Sequence, residues 1–102
     1  MNILQEDFKA YGQKVIDDLT AFAAEQAGWS LADSNYEGVR VNLDGEHGDG
    51  WFLLRLSLHD PLLPLNIESN QIGGAKLIAA ELASFLQNYS DLNAENLFSF
   101  VK

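Results

Sequence analysis

The sequence predicts an α+β domain in which an antiparallel or mixed sheet of about four strands carries two helices packed on one face. Three observations lead there. Apolar residues recur at three- and four-residue spacing near each end of the chain, apolar and polar residues alternate in its middle, and the order is helix, strands, helix. With 102 residues, 47% of them apolar and 21% charged, the chain is read as a single globular domain over residues 1–102, closed by a C-terminal tail over 90–102.

The first helix is expected over residues 4 to 27. Phe8, Tyr11, Val15, Ile16, Leu19, Phe22 and Ala23 form one apolar stripe with Asp, Lys, Gln and Glu between them, and Gly28 ends it. Aromatic residues at this spacing belong to a core. A short strand is expected over residues 29 to 32. The stretch GVRVNL then makes a clearer one, with Val39, Val41 and Leu43 alternating with Arg40 and Asn42. DGEHGDG supplies three glycines and three acids, a polar turn between strands. It lacks the ligand spacing and terminal Glu of an EF-hand calcium loop, and His47 within it is expected to be exposed and without a role.

In WFLLRLS, Phe52, Leu54 and Leu56 point one way while Trp51, Leu53, Arg55 and Ser57 point the other, because side chains alternate along a strand. LLPLNIES places Leu63, Leu65 and Ile67 on one face and Asn66 and Glu68 on the opposite one. Pro64 has no amide donor and marks an edge position or a bulge. The second helix follows from about Ile72 in GGAKLIAAELASFLQNY, burying Leu77, Ile78, Leu82, Phe85 and Leu86, with the Gly73–Gly74 pair at its start. Leu97, Phe98 and Phe100 in the tail are expected to pack against the rest.

Composition excludes several function classes. There are no cysteines, hence no disulfide, thiolate metal site or thiol nucleophile. No apolar run approaches the ~20 residues of a membrane span, and MNILQEDFKA has no basic-then-apolar signal pattern, so a cytoplasmic location without a membrane partner is expected. A net charge of −9, from six Lys and Arg against 15 Asp and Glu, argues against a nucleic-acid partner. An anionic ligand would need a few well-placed donors working against the field of the whole chain.

Arg55 is one of two arginines and sits in an apolar run. A guanidinium cannot be deprotonated and is costly to bury without an acceptor. Ser57 projects from the same face, and a turn over residues 58 to 61 follows at once. A guanidinium fork, a hydroxyl and turn amides converging on one point suit a phosphate, and His59 adds a further candidate donor. The competing reading is an ion pair between Arg55 and Asp60 or Glu68, with Ser57 merely starting the turn.

GVRVNL, then GWFLLRLSLHDPLLPLNIES, then an amphipathic helix resembles the C-terminal domain of the α-D-phosphohexomutases, the phosphoglucomutase and phosphomannomutase family, over about residues 4 to 90. In that family a Gly-Val-Arg strand leads past a hairpin to a Gly-Trp strand. The loop after it has the pattern Arg-x-Ser-(Asn/Gly)-Thr-Glu-Pro and grips the substrate phosphate that is not being transferred. The matching positions here are Arg55, Ser57, Leu58, His59, Asp60 and Pro61. Leu58 stands where a small or amide residue is usual, His59 replaces the threonine, and Pro64 lies where an arginine is common.

The resemblance implies a fold like that of the TATA-box-binding protein and a substrate-phosphate site made of Arg55, Ser57, Leu58, His59 and Asp60. It implies as partners a hexose 1-phosphate or 6-phosphate and the upstream domains of a parent enzyme. That parent is an isomerase, an intramolecular phosphotransferase working through a bisphosphorylated intermediate with a phosphoserine and Mg²⁺. The family's Ser-His pair, its Asp-Gly-Asp-Gly-Asp metal loop and its Gly-Glu-x-Ser sugar loop are not in this sequence. The chain is therefore expected to bind a sugar phosphate with no catalytic residue or metal of its own. If upstream domains normally cover it, Trp51 and Leu53 on the polar face of the sheet are left open to weak self-association. The alternative is a free-standing helix-on-sheet interaction module, since fold alone does not fix function.

Overall fold

The computed structural model describes residues 1–32, 38–57 and 59–101. In chain order the elements are β1 (Asn2–Ile3), α1 (Phe8–Glu25), β2 (Trp29–Leu31), β3 (Gly38–Leu43), a single 3-10 turn (Gly45–His47), β4 (Gly50–Arg55), β5 (Leu65–Ser69), α2 (Gly74–Leu86), β6 (Leu92–Asn93) and α3 (Glu95–Phe100). Strands β2, β3, β4 and β5 form one sheet in that order, antiparallel throughout. The two long helices cover one face of it. A second, two-stranded sheet of β1 and β6 and the short α3 were not expected from the sequence.

Alternation along the strands sorts the two faces. Val39 lies opposite Leu54 and Val41 opposite Phe52, and all four are fully buried under the helices. Trp29 packs edge-to-face on Phe52 at 5.5 Å and on Phe22 at 5.7 Å, joining β2 to the same core. The other face carries Arg40, Asn42, Trp51, Leu53, Arg55, Asn66 and Glu68. There the Arg40 guanidinium lies 4.3 Å from the centre of the Trp51 ring, a cation–π contact.

Helix α1 starts where the Asp7 carboxylate accepts a hydrogen bond from the Ala10 amide at 3.3 Å, and it ends before Gly28, whose φ of +81° turns the chain into β2. Val15, Ile16, Leu19 and Ala23 are buried, whereas Phe8, Tyr11 and Phe22 pack half-buried at the rim. Helix α2 begins after Gly73, at φ +77°, as the glycine pair indicated. Its buried stripe is Gly74, Ile78, Ala79, Leu82, Ala83 and Leu86. Leu77, expected in the core, is 40% exposed, because one residue before Ile78 is a rotation of about 100° off that stripe. Phe85 is half-buried against Phe22 and Tyr89.

The Tyr89 hydroxyl and the Lys14 ammonium both donate to Asp18 Oδ2, at 2.7 and 2.8 Å, tying the end of α2 to α1. The Lys14 hydrogen bond, then that of Tyr89, holds the Asp18 carboxyl below the usual carboxylate range. The tail packs through Leu92, Ala94 and Leu97, while Phe100 stays 52% exposed.

His47 overturns its expectation. Its Nδ1 lies 2.7 Å from Glu81 Oε1, so the turn between β3 and β4 is tied to α2. The Glu81 hydrogen bond raises the His47 pKa above its ordinary value, and the carboxylates of Asp44 and Glu46 add to that. Among the described residues no helix is long and apolar enough to cross a membrane.

Candidate functional site

Arg55 is the last residue of β4, exposed on the open face of the sheet. The hairpin with β5 continues past it. The Arg55 amide donates to the Pro64 carbonyl at 3.0 Å and the Ser57 amide to the Leu62 carbonyl at 3.2 Å, which closes the loop ahead of β5. Pro64 cannot return a hydrogen bond to Arg55, and β5 accordingly begins only at Leu65, as the outer strand of the sheet.

Gly38 of β3 lies directly opposite Arg55. A Cβ there would run into the Leu54 carbonyl and come within 2.8 Å of the Arg55 Cα, so only glycine lets β3 approach this closely at the base of Arg55. Glu68 lies opposite Trp51, four residues down β4 and therefore roughly 13 Å from Arg55 along the strand. Among the described residues neither Glu68 nor Asp60 pairs with Arg55, so the ion-pair reading finds no support.

Ser57 is half-buried and its Oγ accepts a hydrogen bond from the Asp60 amide at 3.3 Å. Because that bond uses a lone pair of the oxygen, the hydroxyl proton is left to donate elsewhere. The Asp60 carbonyl in turn accepts from the Leu62 amide at 2.7 Å, which tightens the loop. His59 and Asp60 are exposed, and Leu58 lies outside the described residues. The structure thus gathers Arg55, Ser57, His59 and Asp60 at one end of the hairpin. The Asp60 carboxylate there works against an anion.

Two supports of this loop were not foreseen from the sequence. The Ile3 amide donates to the Pro61 carbonyl at 2.7 Å and the Leu63 amide to the Met1 carbonyl at 2.8 Å, so the N-terminal strand clamps the loop exit. Gly12 of α1 faces Leu56: a Cβ would lie 2.5 Å from Leu56 Cδ1 and 3.1 Å from Ile3 Cδ1. The missing side chain lets α1 press against the base of the loop. A glycine within an amphipathic stripe is the one signal that could have pointed to such a close approach.

A hollow of about 390 Å³ lies at the far end of the hairpin, lined by Gly50, Trp51, Glu68, Ser69 and Asn70. It offers a carboxylate and no cation, so it does not suit a phosphate. Among the described residues no three His, Asp or Glu side chains converge as a metal-binding group. Comparison with known proteins finds no matching family model, no matching curated protein and no matching solved structure.

Proposed function

We propose that this chain is the sugar-phosphate-binding C-terminal domain of a phosphohexomutase-type enzyme. The observation that carries the reading is the exposed Arg55 at a strand end, without an acidic partner among the described residues, beside the Ser57 hydroxyl and a loop closed by the Ser57–Leu62 hydrogen bond. A planar guanidinium meets two phosphate oxygens at once, and the Ser57 hydroxyl donates to the third. The Asp60 amide exchanges its long bond to Ser57 for a phosphate oxygen. That exchange costs about 1 kcal/mol at most and is offset by a charge-assisted bond. An antiparallel four-stranded sheet beneath two helices supports the same reading at the level of fold.

Isomerisation belongs to the parent enzyme, with the chain holding the phosphate that stays in place while the other is transferred. The resemblance assigns the Mg²⁺ to the parent enzyme, and the proposed binding rests on Arg55 and Ser57.

Titration of the chain with inorganic phosphate and with glucose 6-phosphate, followed by amide NMR, tests this. Signals of residues 55 to 60 should move and those of α1 should not. A Kd of ~1 mM or weaker, about −4 kcal/mol, is expected for so few contacts. Arg55→Lys should weaken binding because an ammonium cannot fork, and Asp60→Asn should tighten it by removing the opposing charge. Shifts centred elsewhere, or an Arg55→Lys variant that binds as well, would remove the role of Arg55.

A further inference from the structure

We propose that the free edge of β5 is a self-association surface, on which a second copy of this chain lays its own β5 antiparallel about a twofold axis through Ile67. The inference is independent of the phosphate reading and does not involve Arg55.

The register identifies the free groups. In an antiparallel pair, directly opposite residues alternate between hydrogen-bonded and non-bonded pairs. The bond from the Arg55 amide to the Pro64 carbonyl makes 55/64 a bonded pair, so 53/66 and 51/68 are bonded as well. Leu65, Ile67 and Ser69 belong to the non-bonded pairs, and their N–H and C=O groups point away from β4. Strand β5 is the last in its sheet, and among the described residues no backbone hydrogen bond reaches these groups from the open side.

Such edges are commonly protected by charge, proline or a covering segment. Here Glu68 is the only charge on the strand and Pro64 stands before it. Met1 hydrogen-bonds only as far as Leu63, before the strand begins, and two hollows share Ile67 in their lining. One, of about 390 Å³, lies at the far end of the hairpin, between Trp51 of β4, Ser69 of β5 and Ala75 of α2. The other, of about 420 Å³, lies between Leu65 and the Leu97 and Phe100 side chains of α3.

What fits this edge is the edge itself. A twofold axis at Ile67 sets Ile67 against its own copy, Leu65 against Ser69 and Asn66 against Glu68. Every outward-facing backbone group of the strand then has a partner. The single charge meets a neutral amide that donates to it, not a second carboxylate. A twofold at Leu65 would set Leu63 against Ile67, but the Leu63 amide and carbonyl already bond to Met1, and one at Ser69 would run off the strand. Alternation also agrees: Leu65 and Ile67 of both copies lie on the side of Leu97 and Phe100, with Asn66 and Glu68 on the open face. The Trp51 and Leu53 face is a poorer candidate, because Arg40 already lies over the Trp51 ring.

Each copy carries a net charge of −9, so association should strengthen as salt screens that repulsion. Sedimentation equilibrium of the chain at micromolar to millimolar concentration, at low and at high salt, is the test. The mass should rise from 11.3 kDa towards its double with concentration and with salt. Asn66→Glu places a carboxylate opposite Glu68 at two symmetric points and should weaken the dimer roughly tenfold. Adding Glu68→Lys to that variant should restore it, by converting both like-charge contacts into opposite-charge ones. Both side chains are exposed, so neither change threatens the fold. A strict monomer under all conditions overturns the proposal. So does a dimer that Asn66→Glu leaves unchanged, or a double variant that fails to recover.

Discussion

Replacing Gly48 with alanine should be among the most damaging single-methyl additions in this chain. Gly48 is buried where the turn between β3 and β4 meets α2, and its φ of +116° lies in the region that L-residues rarely adopt. An added Cβ would lie 2.5 Å from Ile78 Cγ1 and 2.9 Å from the Gly74 carbonyl oxygen. Neither neighbour gives way easily, since Ile78 is fully buried and the Gly74 carbonyl is helix backbone. The backbone conformation alone costs an alanine about 1–2 kcal/mol, and overpacking typically adds about 1–3 kcal/mol. The sum, about 2–5 kcal/mol, is a large part of the ~5–15 kcal/mol that holds a small domain together. Urea unfolding followed by Trp29 and Trp51 fluorescence should show a lower midpoint. In a thermal melt each kcal/mol should lower Tm by roughly 4–8 °C. Gly45→Ala, three residues away, meets no atom within 4 Å and should change stability by no more than about 0.5 kcal/mol. The reasoning fails if Gly48→Ala is as stable as the parent, or if Gly45→Ala costs as much.

Two further expectations follow from contacts the sequence did not announce. Because Glu81, with Asp44 and Glu46, raises the His47 pKa above 6.5, the folded chain binds that proton more tightly than the unfolded one. The stabilisation is therefore fully present below about pH 6.5 and lost as pH rises through the folded value. Urea midpoints of the parent and of His47→Gln should converge on going from about pH 6 to pH 8, and a constant gap across that range would refute the pairing. Gly12→Ala sets a helix-propensity gain of about 1 kcal/mol against overlap with Leu56 and Ile3, worth about 1–3 kcal/mol. Its net effect should be a small loss of stability with displaced amide signals at residues 55 to 57 and 61 to 63. A gain in stability with those signals unmoved would show that α1 does not press on the loop.

The sequence by itself determined what depends on near neighbours along the chain. The stripe Val15, Ile16, Leu19 and Ala23 marks α1. The alternations Val39-Val41-Leu43 and Phe52-Leu54 mark two central strands and the face they bury. The same alternation put Arg55 and Ser57 on one side of their strand, and Pro64 marked the following strand as lying at an edge or carrying a bulge. Tertiary structure decided what depends on meetings between distant segments. Strands of two residues such as β1 and β6 carry no periodicity, and only hydrogen bonds across about 60 to 90 residues of chain bring them together. Whether Glu68 could reach Arg55 was a question of register, which local pattern does not contain; pairing with β4 put it opposite Trp51 instead. His47 acquired its role because α2 folds back over the turn that bears it, and Gly12, Gly38 and Gly48 matter through what would collide with a side chain they lack. Periodicity tells a residue which way to face, whereas the identity of what it faces is set by how the faces close on one another.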